Sequence, residues 1–439
     1  VSALKQSQIN SVCLRTMDDK NPASLATYLK LGGYKVWQKI IKERPAPSHL
    51  IEQIRQSVLK GRGGAGFLSG LKMRFIADDA PHPRYLVCNS DEGEPGTCKD
   101  TLIMQYNPHQ LLEGILIACY AQGMTACYHY IRGEYQVQFD ACEQALREAT
   151  KRGFVGEQVL GSTISIHIHN VLGAGSYIVG EESAMLESLE GRAALPRSKP
   201  PFPAVSGLYG QPTTVNNTET LASIPVILER GADWFLTLGK PNGGGAKIFC
   251  LSGHVKRPGV FEVPLGTPFK TLLAMAGGMR SRAALKAIIP GGSSMRLLPA
   301  KLTTSLTMDY DAIAKAGSNL GTGGIIVMDN KTCMVETLAC IARFYKHESC
   351  GQCTPCREGT GWVVRLLEKI MSGLASMRDL ALLRDVVGDA EGRTICAFGE
   401  AFTWPVQSFL DHFYDEFEYF VRHKHSMVTG KSLKGASHA

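Results

Sequence analysis

The chain reads as a multidomain α/β protein, on three observations. From residue 84 onward strand and helix patterns alternate, residues 245–330 form a small α+β pattern, and everything after 333 is helical. Strands alternating with helices imply βαβ units and a parallel sheet. At about 150 residues per domain, a length of 439 residues is also that of about three domains.

Composition excludes several classes. Hydrophobic residues at 44% and charged residues at 20% match soluble globular chains and rule out disorder and collagen-like repeats. A membrane-crossing helix needs about 18 or more consecutive apolar residues. The best run, Leu111–Met124, is broken by Glu113, Gly114 and Gln122, so no direct membrane insertion is expected. The net charge of +7 is scattered, without the basic stripe or module of a nucleic-acid binder. No secretory leader is read at the start. Nine of the 13 cysteines stand singly, mostly as small hydrophobes such as Cys88, Cys119, Cys127 and Cys250. That usage suits a reducing compartment with one metal site.

Residues 1–47 show no clear period and are expected to form an irregular arm. Ser48 then caps a helix whose Leu50, Ile51, Ile54, Val58 and Leu59 share a face, ending at Gly61. Tyr85–Cys88 is a strand, His109–Gln122 a helix, Ala126–Ile131 a strand and Gln138–Arg152 a helix. Ile164, Ile166 and Ile168 alternate with Ser165, His167 and His169, a half-buried strand whose histidines face water and lack a third metal ligand. A helix over Glu182–Leu189 follows. Beyond a Pro/Gly-rich stretch (196–212) comes a helix near Thr220–Glu229. The small module has strands at Lys247–Ser252 and Val260–Val263 joined by Arg257-Pro258-Gly259, a helix at Pro268–Met275, and strands at Ala287–Ile289 and Ile325–Met328. Helices at Met334–His347, Gly361–Met371, Met377–Val387 and Pro405–Arg422 suggest an up-and-down bundle. In that topology the first and third loops share an end. Cys350, Cys353 and Cys356 occupy one, Cys396 the other, so four thiolates converge.

The spacing C-x2-C-x2-C with a remote fourth cysteine, and Pro355 inside the run, is the ferredoxin-like pattern of a 4Fe–4S cluster. Structural zinc sites more often come as two separated pairs; zinc and unligated cysteines are the alternatives. Gly61, Gly63 and Gly66 satisfy G-x-G-x-x-G but follow a helix, whereas the dinucleotide fingerprint follows a strand. The run is either a tight turn or a loop whose bare N–H groups and Arg62 approach a phosphate or ring. Asn89-Ser90-Asp91-Glu92-Gly93-Glu94 leaves the carboxyl end of a strand, where open α/β sheets bind ligands. Its carboxylates suit metal ligation, acid/base work or loop solvation. Gly173–Glu182 opens a helix, whose N-terminus suits an anion or its own first-turn glutamates.

Together these motifs resemble the family of NADH-binding, FMN-carrying flavoprotein subunits of respiratory complex I, over nearly the whole chain. The matching stretches are GRGGAGF (61–67), NSDEGEPGT (89–97), GAGSYIVGEES (173–183), RSKPPFP (197–203), TTVNNTET (213–220), ESCGQCTPCREG (348–359) and TICAFGEA (394–401). The resemblance implies an N-terminal arm with the glycine loop (1–70), a Rossmann-like FMN/NADH-binding domain (71–240), a ubiquitin-like β-grasp domain (245–330) and a C-terminal four-helix bundle holding 4Fe–4S (333–439).

By motif position, it implies FMN contacts at Gly61, Arg62, Gly63, Gly64, Lys72, Asn89, Asp91, Glu92, Tyr177, Gly180, Glu181, Asn216, Asn217 and Thr220. NADH is implied at Phe67, Phe75 and Phe202 around the adenine, with Glu94, Glu182 and Lys199. Cys350, Cys353, Cys356 and Cys396 are the implied cluster ligands. Departures from the family pattern are Leu68-Ser69, Met73-Arg74, Val179 and Phe398. The implied chemistry is hydride transfer from NADH to FMN, then single electrons to the cluster towards quinone, with no catalytic base required. Implied partners are a 2Fe–2S thioredoxin-like subunit and the large iron–sulfur subunit. The implied location is cytoplasmic, peripheral on the inner face of the plasma membrane through the complex, or the matrix side in a mitochondrion. The rival readings are the diaphorase subunit of an NAD-linked hydrogenase or formate dehydrogenase, and a zinc-stapled adaptor.

Overall fold

The computed structural model describes residues 8–432. Of the expected irregular arm, 8–24 is irregular as read but 25–43 holds two helices; residues 1–7 lie outside the described range. The arm contains α1 (Leu25–Lys30) and α2 (Lys35–Glu43), followed by α3 (Pro47–Gln56) and α4 (Ser69–Lys72). Helix α2 buries Trp37, Ile40 and Ile41, an i, i+3, i+4 face too short to register over an 11–18-residue window. Buried carboxylates pin the arm: Glu262 accepts from the N–H groups of Val12, Cys13 and Leu14. Glu113 accepts hydrogen bonds from Tyr28 Oη (2.5 Å), Tyr34 N (2.8 Å) and Trp37 N (3.1 Å). Helix α3 begins at Pro47, pre-set for a first helical position, and Ser48 makes no cap. It ends before Ser57, so Gly61 lies in the connection rather than at the helix stop.

The next segment runs β1 (Tyr85–Ser90), α5 (Lys99–Tyr106), α6 (Pro108–Gln122), β2 (Ala126–Ile131), α7 (Gln136–Lys151), β3 (His167–Leu172), α8 (Glu182–Leu189), β4 (Thr213–Asn217), α9 (Thr218–Arg230) and α10 (Ala232–Thr237). The strands form a wholly parallel sheet in the order β3-β2-β1-β4. Strand β2 and helix α8 fall where the pattern puts them. Strand β3 keeps Ile168 buried and His169 exposed but starts at His167, leaving Ile164 outside. Strand β4 was hidden behind the Pro/Gly-rich stretch; its five residues, TTVNN, are too few for a period. Order reverses between β1 and β4, and this switch point is where an open α/β sheet offers a ligand crevice.

A second sheet is built from β5 (Ala246–Gly253), β6 (Gly259–Pro264), β7 (Leu285–Ile289), β8 (Leu298–Pro299) and β9 (Gly324–Asp329), with α11 (Phe269–Met275) and α12 (Tyr310–Lys315) between strands. Its order is β6-β5-β9-β7-β8, with β5 and β9 parallel and the other neighbours antiparallel. Phe249, Leu251, Val263, Phe269, Leu272, Ile288, Ile325 and Val327 make its core.

Helices α13 (Met334–Glu348), α14 (Thr354–Met371), α15 (Met377–Ala390) and α16 (Phe398–His423) pack side by side in chain order, the last against the first. Two boundaries correct the sequence reading. Helix α14 starts at Thr354 rather than Gly361, putting Cys356 in its first turn. Helix α16 starts at Phe398 and runs through Pro405, with a break in helical geometry at Phe413. A shared core joins the three layers: Val87, Ile178 and Met185, Ala287 and Ile289, and the inward faces of the four helices. No helix among the described residues is long and apolar enough to cross a membrane.

Candidate functional site

A cavity of about 980 Å³ opens at the β1/β4 switch point. That is the upper end of small-molecule sites, about 300–1,000 Å³. It is lined by the glycine loop (Gly61, Gly63–Phe67), the carboxyl ends of β1 and β4 (Asn89, Asp91, Asn216, Asn217), the start of α5 (Lys99, Asp100), the turn into α8 (Tyr177, Gly180–Glu182), and the second sheet's loops. Its far wall is Cys396, Ala397 and Phe398. The crevice thus runs from the glycine loop to the fourth cysteine.

Gly61 N–H donates to Phe67 O (2.7 Å) and closes the loop on itself. At its tip, Gly64 (φ +133°) and Gly66 (φ +66°) take left-handed geometry that side chains resist. A Cβ on Gly66 would meet the Tyr310 ring at 2.7 Å, so loop and second sheet are in close contact. Arg62 does not reach into the cavity. Its guanidinium is fully buried and donates to Tyr310 Oη (3.1 Å), Gly244 O (2.9 Å) and Ala246 O (3.0 Å), while its backbone N–H donates to Thr220 Oγ1 (2.9 Å). The side chain expected to approach a phosphate instead fastens the loop from behind.

Polar groups at the switch point divide sharply. Glu92 is spent on capping α5, accepting from the N–H groups of Lys99 (2.7 Å), Asp100 (3.0 Å) and Thr101 (3.2 Å). Asn89 is spent locally, donating to Gly180 O (2.9 Å) and accepting from Asp91 N (3.1 Å). Asn217 caps α9 through Glu219 N (3.0 Å) and donates to Asp100 (2.7 Å). Glu94 accepts from Tyr177 Oη (2.7 Å), Ser294 N (2.8 Å) and Ser293 Oγ (3.2 Å), bridging the two sheets. Others are left wanting. Among the described residues six buried side-chain atoms have no hydrogen-bond partner. Four of them belong to cavity-lining residues: Ser69 Oγ, both Asp91 oxygens and Asn216 Nδ2. Buried polar groups without partners are costly, so a cluster of them facing one cavity marks a place where a polar ligand is expected to bind. Burial pushes the Asp91 carboxyl up to about 7, although Arg132 pulls the other way.

Near the α8 end, Glu181 accepts from Ser183 N and Ala184 N and caps the helix. Glu182 lies 2.8 Å from Lys199 Nζ and 3.5 Å from Lys72 Nζ. Burial works to raise its carboxyl, but the two lysines hold it below the usual range. Phe67 and Phe75 are exposed, with ring centroids 5.4 Å apart. Phe202 is also exposed but is in neither the cavity wall nor that ring pair.

The sequence reading missed residues from the second sheet and α5. Ser294, Met295, Tyr310, Asn319–Thr322, Lys99 and Asp100 all line the cavity. No motif flagged the second-sheet residues; the charged Lys99-Asp100 pair in TCKDT was the available signal for α5.

The four cysteines gather at one end of the helical layer. Cys350 and Cys353 lie in the α13–α14 connection and Cys396 in the α15–α16 connection, as the topology required. Burial first, then the charges of Cys353, Cys350 and Cys396, pushes Cys356 up to about 12. Cys396 is pushed up to about 11 by burial, with Glu181 and the other thiols adding. Thiols this hard to ionise alone are ones that a bound metal group would deprotonate. Among the described residues no three His, Cys, Asp or Glu side chains are placed to grip one ion. A zinc ion with Zn–S bonds of about 2.3 Å would need sulfurs about 3.8 Å apart. The C-x2-C-x2-C run with a remote fourth cysteine is the donor set of a 4Fe–4S group. Tyr177, Tyr345 and Phe398 pack together with centroids 5.5–6.0 Å apart, Tyr177 and Phe398 lining the cavity alongside Cys396.

Comparison with known proteins agrees with this anatomy. Residues 54–226 match the Nuo51 FMN-binding domain, 248–298 the SLBB domain, and 336–420 the NADH-ubiquinone oxidoreductase-F iron-sulfur binding region. The NADH-quinone oxidoreductase F subunit of Rickettsia bellii (strain OSU 85-389) is 51% identical over 371 residues, 84% of this chain and 89% of the relative. Its Rickettsia typhi counterpart is also 51% identical, over 84% and 88%. A crystal structure of NAD+-reducing [NiFe]-hydrogenase in the H2-reduced state superposes with a TM-score of 0.81 at 34% identity, covering 90% of this chain and 66% of that one. At this identity and coverage the cavity, the cysteine set and the matched regions have one reading: the chain belongs to the family of NADH-quinone oxidoreductase F subunits.

Proposed function

We propose that the cavity holds FMN against the glycine loop and admits NADH from the α8 side, with the four cysteines holding the cluster beyond Phe398. The carrying observation is the set of unpartnered buried atoms of Ser69, Asp91 and Asn216 in a single cavity that reaches Cys396. When bound, FMN accepts hydride from NADH and the 4Fe–4S cluster takes the electrons one at a time towards quinone.

The chain's own residues bind, orient and exclude. Asp91 and Asn216 supply one acceptor pair and one donor for the flavin's polar edge. Gly61, Gly63 and Gly64 let the backbone approach the ring or phosphate, with Thr220 behind them and Lys72 at the rim. Tyr177 and Gly180 close the opposite side. Arg62, Asn89, Glu92, Glu181 and Asn217 hold these groups in place. Phe67 and Phe75 offer a stacking face for adenine, and Phe202 is an exposed ring outside the cavity wall. Glu182 and Lys199 meet the ribose, and Glu94 fixes the neighbouring wall.

The supporting anatomy is a Rossmann-like domain (71–240) with the arm and loop (1–70) packed on it, a ubiquitin-like domain (245–330) and a four-helix bundle (333–439). Exposed Trp362 and Ile395 beside the cysteine loops suit docking of a 2Fe–2S thioredoxin-like subunit and the large iron–sulfur subunit. Reduced cysteines throughout favour the cytoplasmic or matrix face, the chain reaching the membrane only through its complex. The hydrogenase likeness supports a diaphorase role as the second reading, but its 34% identity stands against 51% for the quinone-oxidoreductase relatives.

The test is cofactor content. Gly64→Val and Asn216→Leu should lose FMN while keeping iron and acid-labile sulfide. Full flavin occupancy in both variants would place FMN elsewhere.

A further inference from the structure

Cys98, at the start of α5, and Cys250, in β5 of the second sheet, meet at the seam beside the cavity. Cys98 is exposed at the N-cap of α5, while Cys250 is buried in the middle of β5. Cys98 N–H donates to Cys250 Sγ at 3.3 Å, which sets the buried sulfur directly against the backbone of Cys98. The seam is tight around them. Thr97 Oγ1 lies 2.5 Å from Thr322 Oγ1, and a Cβ on Gly324 would meet Gly96 O at 2.6 Å. Thr97 and Lys99, on either side of Cys98, both line the cavity.

We propose that Cys98 and Cys250 form a reversible redox pair: Cys98 is a peroxide-reactive thiol, and Cys250 resolves it into a disulfide that links the start of α5 to the second sheet. The reading of these residues as inert small hydrophobes does not hold for this pair. A reactive cysteine needs access, thiolate character and a nearby resolving thiol. Cys98 is accessible, sits at a helix N-terminus, and is drawn down to about 7 by its hydrogen bond with Cys250 against burial. Cys250 is raised first by that same hydrogen bond and then by burial, so oxidising Cys98 removes the main cause.

The chemistry balances with hydrogen peroxide as the named oxidant. The Cys98 thiolate attacks one peroxide oxygen, the O–O bond breaks, and hydroxide leaves and takes a proton as water. Cys98 becomes a sulfenic acid. Cys250 gives up its proton, attacks the Cys98 sulfur and expels the second oxygen as water, forming the S–S bond. Two thiols and one peroxide yield one disulfide and two waters. Closure brings the two sulfurs to an S–S distance of about 2.05 Å.

The experiment uses the assembled complex, exposed to graded hydrogen peroxide, alkylated with N-ethylmaleimide and mapped by mass spectrometry. Before peroxide, Cys98 should alkylate about tenfold faster at pH 7 than Cys340, another exposed cysteine. With peroxide, Cys98 and Cys250 should lose labelling together, and a linked Cys98–Cys250 peptide should appear that dithiothreitol releases. In Cys250→Ser, Cys98 should instead be trapped as a dimedone adduct. Alkylation of Cys98 no faster than Cys340, or a dimedone adduct in the unaltered complex with no linked peptide at any dose, overturns the proposal. Because these readouts come from the unaltered protein, a variant that fails to assemble does not blunt them.

Discussion

Lys99 Nζ lies 3.0 Å from the Glu219 carboxylate, and neither side chain is more than 1% exposed. Asp100 stands 2.6 Å from the same ammonium, and Lys247 reaches Glu219 at 3.5 Å. Glu219 also accepts from Ile248 N (2.9 Å), so this network ties α5 and α9 to the second sheet behind the cavity floor. Burial works to raise Glu219, but Lys247 and Lys99 hold it below the usual range.

Breaking such a pair from one side leaves an uncompensated buried charge, which costs about 3–5 kcal/mol. Lys99→Met should therefore lower the thermal midpoint by several degrees, at about 2–4 °C per kcal/mol for domains of this size. Adding Glu219→Leu should recover part of the loss. A midpoint within about 1 °C of the parent for Lys99→Met, an order-of-magnitude threshold set by that conversion, would show that the pair is not holding the floor.

Asp91 gives a pH dependence with a defined sign. Its carboxyl is raised to about 7 by burial, and no hydrogen-bond donor offsets this. Flavin donors would favour the ionised form, so riboflavin affinity should rise as pH increases from about 6 to about 8 and then level off. The same raised value means that this group erodes stability of the flavin-free protein as pH rises from its unfolded value towards 7. Asp91→Asn should flatten both dependences. Riboflavin, lacking the phosphate that itself titrates, is the ligand to measure by fluorescence quenching. An equal slope in both proteins would remove Asp91 from the site.

Cys396→Ala should lose the cluster and keep FMN. Only the packing of α15–α16 against α13–α14 brings this thiol to the other three. NADH should still bleach the flavin in the variant, while the reduced-cluster EPR signal disappears. Parental iron content with an unchanged signal would refute the ligand assignment.

Glu182 should enforce NADH over NADPH. An acidic side chain there accepts from the ribose 2′-hydroxyl and repels a 2′-phosphate. The structure adds a second effect: Lys72 and Lys199 are both engaged with this carboxylate and would be freed by its removal. Glu182→Ala should raise kcat/KM for NADPH by roughly tenfold or more, since about 1.4 kcal/mol is a factor of ten. Ferricyanide reduction gives the NADH-to-NADPH ratio in both proteins. If that ratio does not move, the ribose is held elsewhere.

What was legible in the sequence was what short stretches of chain decide. The strand–helix pattern placed β2 and α8 at their bounds and α6 within a residue, because local periodicity follows from backbone geometry alone. The cysteine spacing and the glycine run were equally plain, and the bundle's connectivity sufficed to bring Cys396 to the triplet. Elements with too few residues for a period went unread: α1, α2, α4, α5, α10, α12, β4 and β8.

Where each motif's side chains point was decided only by tertiary contacts. Arg62 looks like a phosphate ligand in GRGGAGF, yet its acceptors are Gly244, Ala246 and Tyr310, far along the chain, and they draw it behind the loop. Glu92 and Asp91 are neighbours with opposite fates, since α5 offers three N–H groups to one and the cavity offers none to the other. A polar side chain turns towards whichever partner spares it an unpaired burial. Those partners exist only once both sheets and the helical layer have closed around the crevice.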